Sequence, residues 1–170
     1  SSTGQSVGQL YGLIAEGLFT ESDFADIEDG TLISSLPTHN FGPVRPGDIR
    51  YRDINEDGQV NELDKTAIGG TVDPQLVYGL GANFQFKGID FGFFFQGLGN
   101  TYRMIGGANF IPGSANGSMG NMLINVDDRW TVENPRQDVF YPRLSDFQNA
   151  NNNEASTWWL KDMEFIRLKH

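Results

Sequence analysis

Residues 77–97 read VYGLGANFQFKGIDFGFFFQG, and this stretch decides the fold class. Apolar side chains recur at every second position on both sides of Lys87-Gly88, a period that is typical of β-strands. A short turn between two such runs predicts an antiparallel β-hairpin, so we expect a mainly β fold. One face of the hairpin is apolar and aromatic, and its members are Tyr78, Leu80, Ala82, Phe84, Phe86, Ile89, Phe91, Phe93 and Phe95.

The opposite face of the hairpin is small and polar, apart from Val77 and Phe94. Each strand has roughly the 9 to 11 residues that a tilted strand needs to cross a bilayer. An apolar face towards lipid and a polar face towards the lumen are typical of an outer-membrane barrel. A hairpin in a soluble β-sandwich, whose apolar face packs on a core, has the same alternation. The hairpin alone leaves both interpretations open.

A second motif, DINEDGQVNELD at residues 53–64, holds five carboxylates in twelve residues. Side-chain oxygens at Asp53, Asn55, Asp57 and Asp64 have the spacing of positions 1, 3, 5 and 12 in a calcium loop of the EF-hand type, and a glycine stands at position 6. The backbone carbonyl of Gln59 would act from position 7. Because hard cations prefer several oxygen ligands, these five residues are the predicted Ca²⁺ ligands, and the ion is expected to be structural.

The alternative for this loop is a solvated turn without a metal, since Asp, Asn and Gly also form turns. Prolines and glycines precede the loop and Gly69-Gly70 follows it, so the flanking helices of a true EF-hand are not expected. Asp64 is shorter than the usual bidentate Glu. A weak site, in roughly the millimolar range of extracellular modules, is therefore expected.

Composition excludes several function classes for these 170 residues. A net charge of −10 argues against nucleic acid as a partner. The absence of cysteine excludes disulfides and thiolate zinc sites. No apolar run approaches the roughly 20 residues of a transmembrane helix, and residues 1–10 lack the features of a signal peptide. His39 and His170 lie far apart and no Ser/His/Asp arrangement is apparent, so we expect no enzyme.

The region after the hairpin has no clear period over residues 98–157 and is predicted to be a long loop, with an Asn-rich segment at 149–153. Trp158-Trp159 are expected in an aromatic girdle at a membrane boundary, with stacking on a sugar ring as the alternative. Residues 165–169 alternate again, which predicts the start of a further strand.

The order of these motifs resembles the C-terminal part of the SusC/RagA family of TonB-linked outer-membrane transporters. Two departures are Met163-Glu164, where the family has a small Gly-Ser pair, and His170, where it has Asn. Neither departure affects the calcium loop or the hairpin. The matching stretches are GQLYGLIAEGLF (8–19), PGDIRYRDINEDGQVNELDKTAIG (46–69), YGLGANFQFKGIDFGFFFQG (78–97), DRWTVENP (128–135), YPRL (141–144) and FIRLKH (165–170).

The resemblance implies a transmembrane β-barrel of about 22 antiparallel strands with long extracellular loops and an N-terminal plug. Members of the family import nutrients, often oligosaccharides, beneath a SusD-like lipoprotein lid in the bacterial outer membrane. TonB supplies energy through an N-terminal segment. Plug and TonB box are absent from these 170 residues, which cannot close such a barrel alone, so a fragment is expected.

Five segments follow from this interpretation. Residues 1–50 form a loop and strand region of the barrel, and 51–70 contain the EF-hand-like calcium loop. Residues 71–97 form the membrane-spanning hairpin, 98–157 the long extracellular loop, and 158–170 the start of a further strand. Because outer-membrane barrels have short periplasmic turns, the hairpin turn is expected on the periplasmic side.

The competing hypothesis is a soluble, secreted β-module that binds calcium and recognises carbohydrate. The phenylalanine face distinguishes the two hypotheses. In a transporter this face contacts lipid, whereas in a soluble module the same chain must bury it in a core.

Overall fold

A computed structural model of the chain describes residues 4, 6–107, 110–112, 123–145 and 148–169. Parts of the predicted loop 98–157, and His170, lie outside the described residues. Among these residues no helix is long and apolar enough to span a membrane. The strands, in chain order, are β1 (Gln9–Gly12), β2 (Ala15–Leu18), β3 (Phe24–Asp26), β4 (Thr31–Leu32), β5 (Thr38–His39), β6 (Ile49–Tyr51), β7 (Gln59–Val60), β8 (Thr66–Thr71), β9 (Leu76–Phe86), β10 (Ile89–Gly99), β11 (Tyr102–Met104), β12 (Leu160–Asp162) and β13 (Phe165–Lys169).

The predicted β class is confirmed, since the described helical segments are three short 3-10 helices, at Glu21–Asp23, Glu62–Asp64 and Ile124–Asp127. The largest sheet is antiparallel, with strand order β13-β10-β9. The other strands form the pairs β1-β8, β2-β6, β3-β4, β5-β7 and β11-β12, of which β5-β7 is parallel.

The chain divides into two compact units. The sheet unit contains Ser1–Leu10, Gly69–Met104 and Leu160–His170. The loop unit contains Tyr11–Ile68 and Ile105–Trp159. The loop unit therefore combines the predicted calcium loop with most of the stretch that lacked a period.

In the sheet unit, the predicted hairpin is confirmed as β9 and β10. The turn residues Lys87 and Gly88 both have positive φ angles, 50° and 82°, which the right-handed twist of a two-residue hairpin turn favours. This turn sets Phe91 opposite Phe84 and Phe95 opposite Leu80, so the apolar residues of both strands share one face.

Strand β13 confirms the strand predicted at the end of the chain and extends the same two faces. Leu168 pairs with Phe95 and therefore joins the apolar face. Lys169 pairs with Phe94 and lies on the polar face. The three-stranded sheet is thus amphipathic across its whole width.

The loop unit buries a small hydrophobic cluster of Phe19, Phe24 and Val44, against which Leu32 and Leu36 pack. Its interior also contains buried polar side chains, among them Asp48, Asn151 and Asn152. Short strands cannot satisfy all backbone groups by ladder hydrogen bonds, so side-chain amides must supply the remaining partners.

The girdle prediction is wrong for Trp159, which is 1% exposed in the interior of the loop unit. Its indole N–H donates to the backbone carbonyl of Asn152 at 2.7 Å. The Trp158 indole N–H donates to the carbonyl of Phe140 at 3.1 Å. A pair of adjacent tryptophans suggested a boundary position, but here the N–H groups are used to fix loop backbone.

Candidate functional site

The predicted cation loop is curled by hydrogen bonds between close neighbours. The Gly58 N–H donates to Asp53 Oδ2 at 2.7 Å, and Gly58 has a φ of 82°, which glycine adopts without strain. The Asp57 N–H donates to Asn55 Oδ1 at 3.0 Å, and the Gln59 N–H donates to Asp57 Oδ1 at 2.9 Å. These bonds bring the first three predicted ligands to one side of a tight turn.

Asp64 closes the loop from within the protein, since its side chain is fully buried. Its Oδ1 atom accepts the N–H groups of Ile54 and Asn55 at 2.8 and 3.4 Å, and its Oδ2 atom accepts the Asn61 N–H at 2.8 Å. Asn61 in turn accepts the Leu63 N–H at 2.8 Å, which completes a capping box at the short helix Glu62–Asp64.

The predicted ligands of the loop offer oxygen atoms, which hard cations prefer. Asp53 Oδ1 is buried and has no hydrogen-bond partner, so one carboxylate oxygen in the loop remains available as a ligand. The Asn55 amide donates from Nδ2 to Asp57 Oδ2 at 3.1 Å. In the part of the chain that the structure describes, no group of three or more His, Cys, Asp or Glu side chains has the arrangement of a metal site. A cation in this loop would therefore need amide and backbone oxygens as well as carboxylates.

Gln59, whose predicted role uses its backbone carbonyl, begins β7, and the loop is attached to the rest of its unit through this strand. The Thr38 N–H donates to the Gly58 carbonyl and the Asn40 N–H donates to the Val60 carbonyl, each at 3.0 Å. On the other side of the loop, Lys65 Nζ lies 2.8 Å from Glu62 Oε1 and 2.8 Å from Glu154 Oε2. The loop is therefore held by neighbouring segments on both of its sides.

A buried carboxylate, Asp48, organises the centre of the loop unit. Arg143 forms a two-point ion pair with it, with Nε–Oδ1 and Nη2–Oδ2 distances of 3.1 Å. The Nδ2 groups of Asn149 and Asn152 donate to Oδ1 at 2.9 Å, and the Arg45 N–H donates to Oδ2 at 2.8 Å. Burial raises the pKa of Asp48, while Arg143 and the other donors act in the opposite direction.

The asparagines of segment 149–153 bind β6 as a neighbouring strand would. Asn152 Oδ1 accepts the Ile49 N–H at 2.9 Å, and Asn151 Nδ2 donates to the Ile49 carbonyl at 2.8 Å. The Tyr51 hydroxyl donates to the Asn151 carbonyl at 2.8 Å. The sequence predicted a loop for this segment. Strand pairing through side-chain amides leaves no periodic pattern in the sequence, so it could not be predicted.

His39 lies between the cation loop and the asparagine segment. Its ring stacks on Tyr51 at a centroid distance of 5.7 Å and meets Phe19 edge-on at 5.0 Å. His39 Nδ1 is 2.8 Å from Asn151 Oδ1, which acts as acceptor because the amide nitrogen already donates elsewhere. Burial lowers the pKa of His39, and Arg50 acts in the same direction, whereas Asn151 and Asp64 oppose the shift.

The second functional feature is the apolar face of the sheet unit, which stays exposed. Phe84 and Phe91 are 59% and 61% exposed, and Leu168 is 60% exposed. Phe93 contacts Phe84, Phe91 and Phe95 at centroid distances of 6.3, 6.2 and 5.6 Å, which forms a continuous aromatic ladder. A contiguous apolar surface of this kind marks a site of contact with protein or lipid.

On the polar face, the Phe94 ring lies over two glycines of β9. A Cβ atom on Gly79 would meet the ring at 2.9 Å, and one on Gly81 at 3.0 Å. Glycine is thus required at these positions for the ring to lie against the sheet. The arrangement lets an aromatic ring cover backbone that the glycines leave bare.

Comparison with known proteins adds independent information. No family model matches the chain. The chain is 31% identical over 128 residues to a TonB-dependent receptor of Formosa agariphila, an alignment that covers 75% of this chain and 12% of that receptor. The similarity supports the TonB-dependent receptor family for the aligned part and does not distinguish the SusC/RagA group within it.

Proposed function

We propose that the chain is part of a SusC/RagA-like TonB-dependent transporter in the bacterial outer membrane. Residues 71–97 form a section of the barrel wall, and the calcium loop and residues 98–157 are extracellular. The observation that carries this proposal is the exposed apolar face of an antiparallel sheet whose opposite face is polar. The similarity to a TonB-dependent receptor supports it independently.

The strand lengths support the same conclusion. Strands β9 and β10 have 11 residues each. At about 3.3 Å per residue and a tilt of about 40°, such a strand spans about 28 Å, close to the roughly 25 Å apolar band of outer-membrane barrels. The soluble-module hypothesis requires the chain to bury Phe84 and Phe91, and both are more than half exposed in the structure.

The partners follow from the family resemblance. In this proposal the intact protein imports nutrients, oligosaccharides in particular, and acts as a transporter and not as an enzyme. A SusD-like lipoprotein covers its extracellular mouth, TonB supplies energy through the N-terminal part, and outer-membrane lipid contacts the apolar face. The hairpin turn lies on the periplasmic side because periplasmic turns of outer-membrane barrels are short.

The proposal includes a structural Ca²⁺ ion in the loop at residues 53–64. Asp53, Asn55, Asp57, Gln59 and Asp64 would hold it through oxygen atoms, and the ion would supply positive charge to a strongly acidic loop. The unpartnered Asp53 Oδ1 supports this role. So does Asp64, a buried carboxylate that forms no ion pair within the described ranges. The ion would stiffen the loop and would have no catalytic role.

Spin labelling of the intact protein in lipid bilayers tests the barrel assignment. Labels at Phe91→Cys and Asp90→Cys lie at the same depth but on opposite faces of β10. We expect the label at position 91 to collide mainly with dissolved oxygen, which concentrates in lipid, and the label at position 90 mainly with a water-soluble nickel complex. Equal accessibility at the two positions would refute the assignment.

A further inference from the structure

We propose that Asp64 is the anchor of the cation loop and not its bidentate ligand. In this view the Asp64 carboxylate holds both ends of the loop before any cation binds, and it can offer the cation a single oxygen contact. The inference rests on the proposed cation site, whose remaining ligands it leaves unchanged.

The hydrogen bonds of Asp64 reach across the whole loop. Ile54 and Asn55 belong to the start of the loop and Asn61 to its end, and all three direct their backbone N–H groups to the one carboxylate. The side chain is completely buried, so water does not replace these bonds. Three N–H donors that converge on one buried carboxylate fix the loop backbone.

The number of lone pairs limits what Asp64 can do for a cation. An ionised carboxylate has about four acceptor sites, two on each oxygen. Two donors occupy Oδ1 and one occupies Oδ2, so one site on Oδ2 remains. A Glu at this position of an EF-hand loop supplies both oxygens. The loop therefore supplies one protein oxygen fewer than the sequence motif implies, and the affinity is correspondingly lower.

The part of the site that must rearrange on cation binding is then its exposed half. Asn55 directs Nδ2 to Asp57 Oδ2, so a donor and not an oxygen lies between these two ligands. Cation binding requires the Asn55 amide to rotate, while Asp64 and the backbone it holds stay in place. The fixed half keeps the entropy loss on binding small.

Two substitutions at Asp64 separate an anchor from a ligand. Asp64→Glu restores the usual ligand, but its extra methylene displaces the carboxylate from the three N–H groups in a buried site. Asp64→Asn keeps the shape of the side chain. It replaces one acceptor oxygen by an NH2 group, so that two hydrogen-bond donors face each other. Asp57→Asn, in the exposed half, is the matched control, because it alters a ligand without touching the buried bonds.

Binding is measured by calorimetry with CaCl₂ on the 170-residue chain in detergent micelles. Stability without cation is measured by urea unfolding in EDTA, followed by tryptophan fluorescence. We expect Asp64→Glu to weaken Ca²⁺ binding about tenfold or more, the equivalent of one lost hydrogen bond to a charged group. We expect both Asp64 variants to lower the urea midpoint in EDTA, and Asp57→Asn to leave that midpoint unchanged while it weakens binding.

The outcomes distinguish this inference from the cation proposal. Tighter Ca²⁺ binding by Asp64→Glu, or an unchanged midpoint of Asp64→Asn in EDTA, would overturn the anchor role. If the native chain binds no Ca²⁺ but Asp64→Asn still lowers the midpoint, the anchor stands and the cation site falls. If the Asp64 variants do not fold, amide hydrogen exchange of the native chain in EDTA decides: slow exchange at Ile54 and Asn61 supports the anchor, and fast exchange refutes it.

Discussion

The asparagine segment should make a large and residue-specific contribution to stability, and Asn152→Ala is the sharpest perturbation. Asn152 Oδ1 accepts the N–H of Ile49, a residue that is fully buried. Its Nδ2 donates to the buried carboxylate of Asp48. The substitution leaves a buried N–H without a partner, at about 1–3 kcal/mol, and removes a hydrogen bond to a charged group, at about 1.5–3 kcal/mol. We therefore expect a loss of about 4 kcal/mol in the free energy of unfolding.

Urea unfolding followed by tryptophan fluorescence measures this loss in the right part of the molecule. The chain has three tryptophans, Trp130, Trp158 and Trp159, and all belong to the loop unit. With a denaturant slope of about 2 kcal/mol/M, the midpoint should fall by about 2 M. Far-UV circular dichroism, which also reports the sheet unit, should shift less.

Asn153→Ala is the matched control, one residue away. Asn153 Nδ2 is buried without a hydrogen-bond partner, so its removal relieves an unsatisfied donor. This variant should change stability by less than about 1 kcal/mol, or increase it. Equal losses in the two variants would mean that general packing, and not the hydrogen bonds of Asn152, holds the segment, and the reasoning would be refuted.

Three further predictions test other features of the molecule. Because burial lowers the pKa of His39, the unfolded chain takes up a proton near its usual value of 6.5 while the folded chain takes it up only at lower pH. The stabilising contribution is thus complete above pH 6.5 and is lost as pH falls, and His39→Gln should flatten the urea midpoint against pH in this range. Gly79→Val should destabilise the sheet unit by about 1–3 kcal/mol through collision with Phe94, measured by thermal circular dichroism in micelles, and Phe94→Ala should remove most of that effect in the double variant. Calcium at ten times its dissociation constant should stabilise the loop unit by about 1.4 kcal/mol, and Asp57→Ala should abolish that gain. If calcium changes the stability of neither the native chain nor Asp57→Ala, the cation site is removed from the proposal.

The sheet unit was predictable because its signals are local. The period of two fixes which side chains share a face, and the two-residue turn fixes the register, so Phe84 had to meet Phe91. The same holds for residues 53–59 of the cation loop, where hydrogen bonds join residues two to five positions apart. Short-range geometry of this kind can be read from spacing alone.

The interior of the loop unit was not predictable for the opposite reason. Asn152 and Ile49 are 103 positions apart, and their pairing depends on the complete fold. Four asparagines in five residues suggest a solvated loop by composition, whereas burial converts them into backbone partners. Asp64 is similar, since its spacing predicted a ligand and only the complete fold shows that it is buried and accepts three backbone N–H groups.

The asparagine segment also makes the loop unit sensitive to a slow covalent change whenever the unit unfolds. In an unfolded chain, the next backbone nitrogen can attack an asparagine amide and expel ammonia to form a cyclic imide, and water then hydrolyses this imide to a carboxylate. This reaction is one reason why asparagine counts as a thermolabile residue. In the folded unit, hydrogen bonds to Asp48 immobilise the amides of Asn149 and Asn152. Deamidation of either residue would place a second negative charge beside Asp48. The repulsion between the two carboxylates would prevent the unit from refolding. Heat inactivation should therefore be irreversible, at a rate that depends on the time the chain spends unfolded.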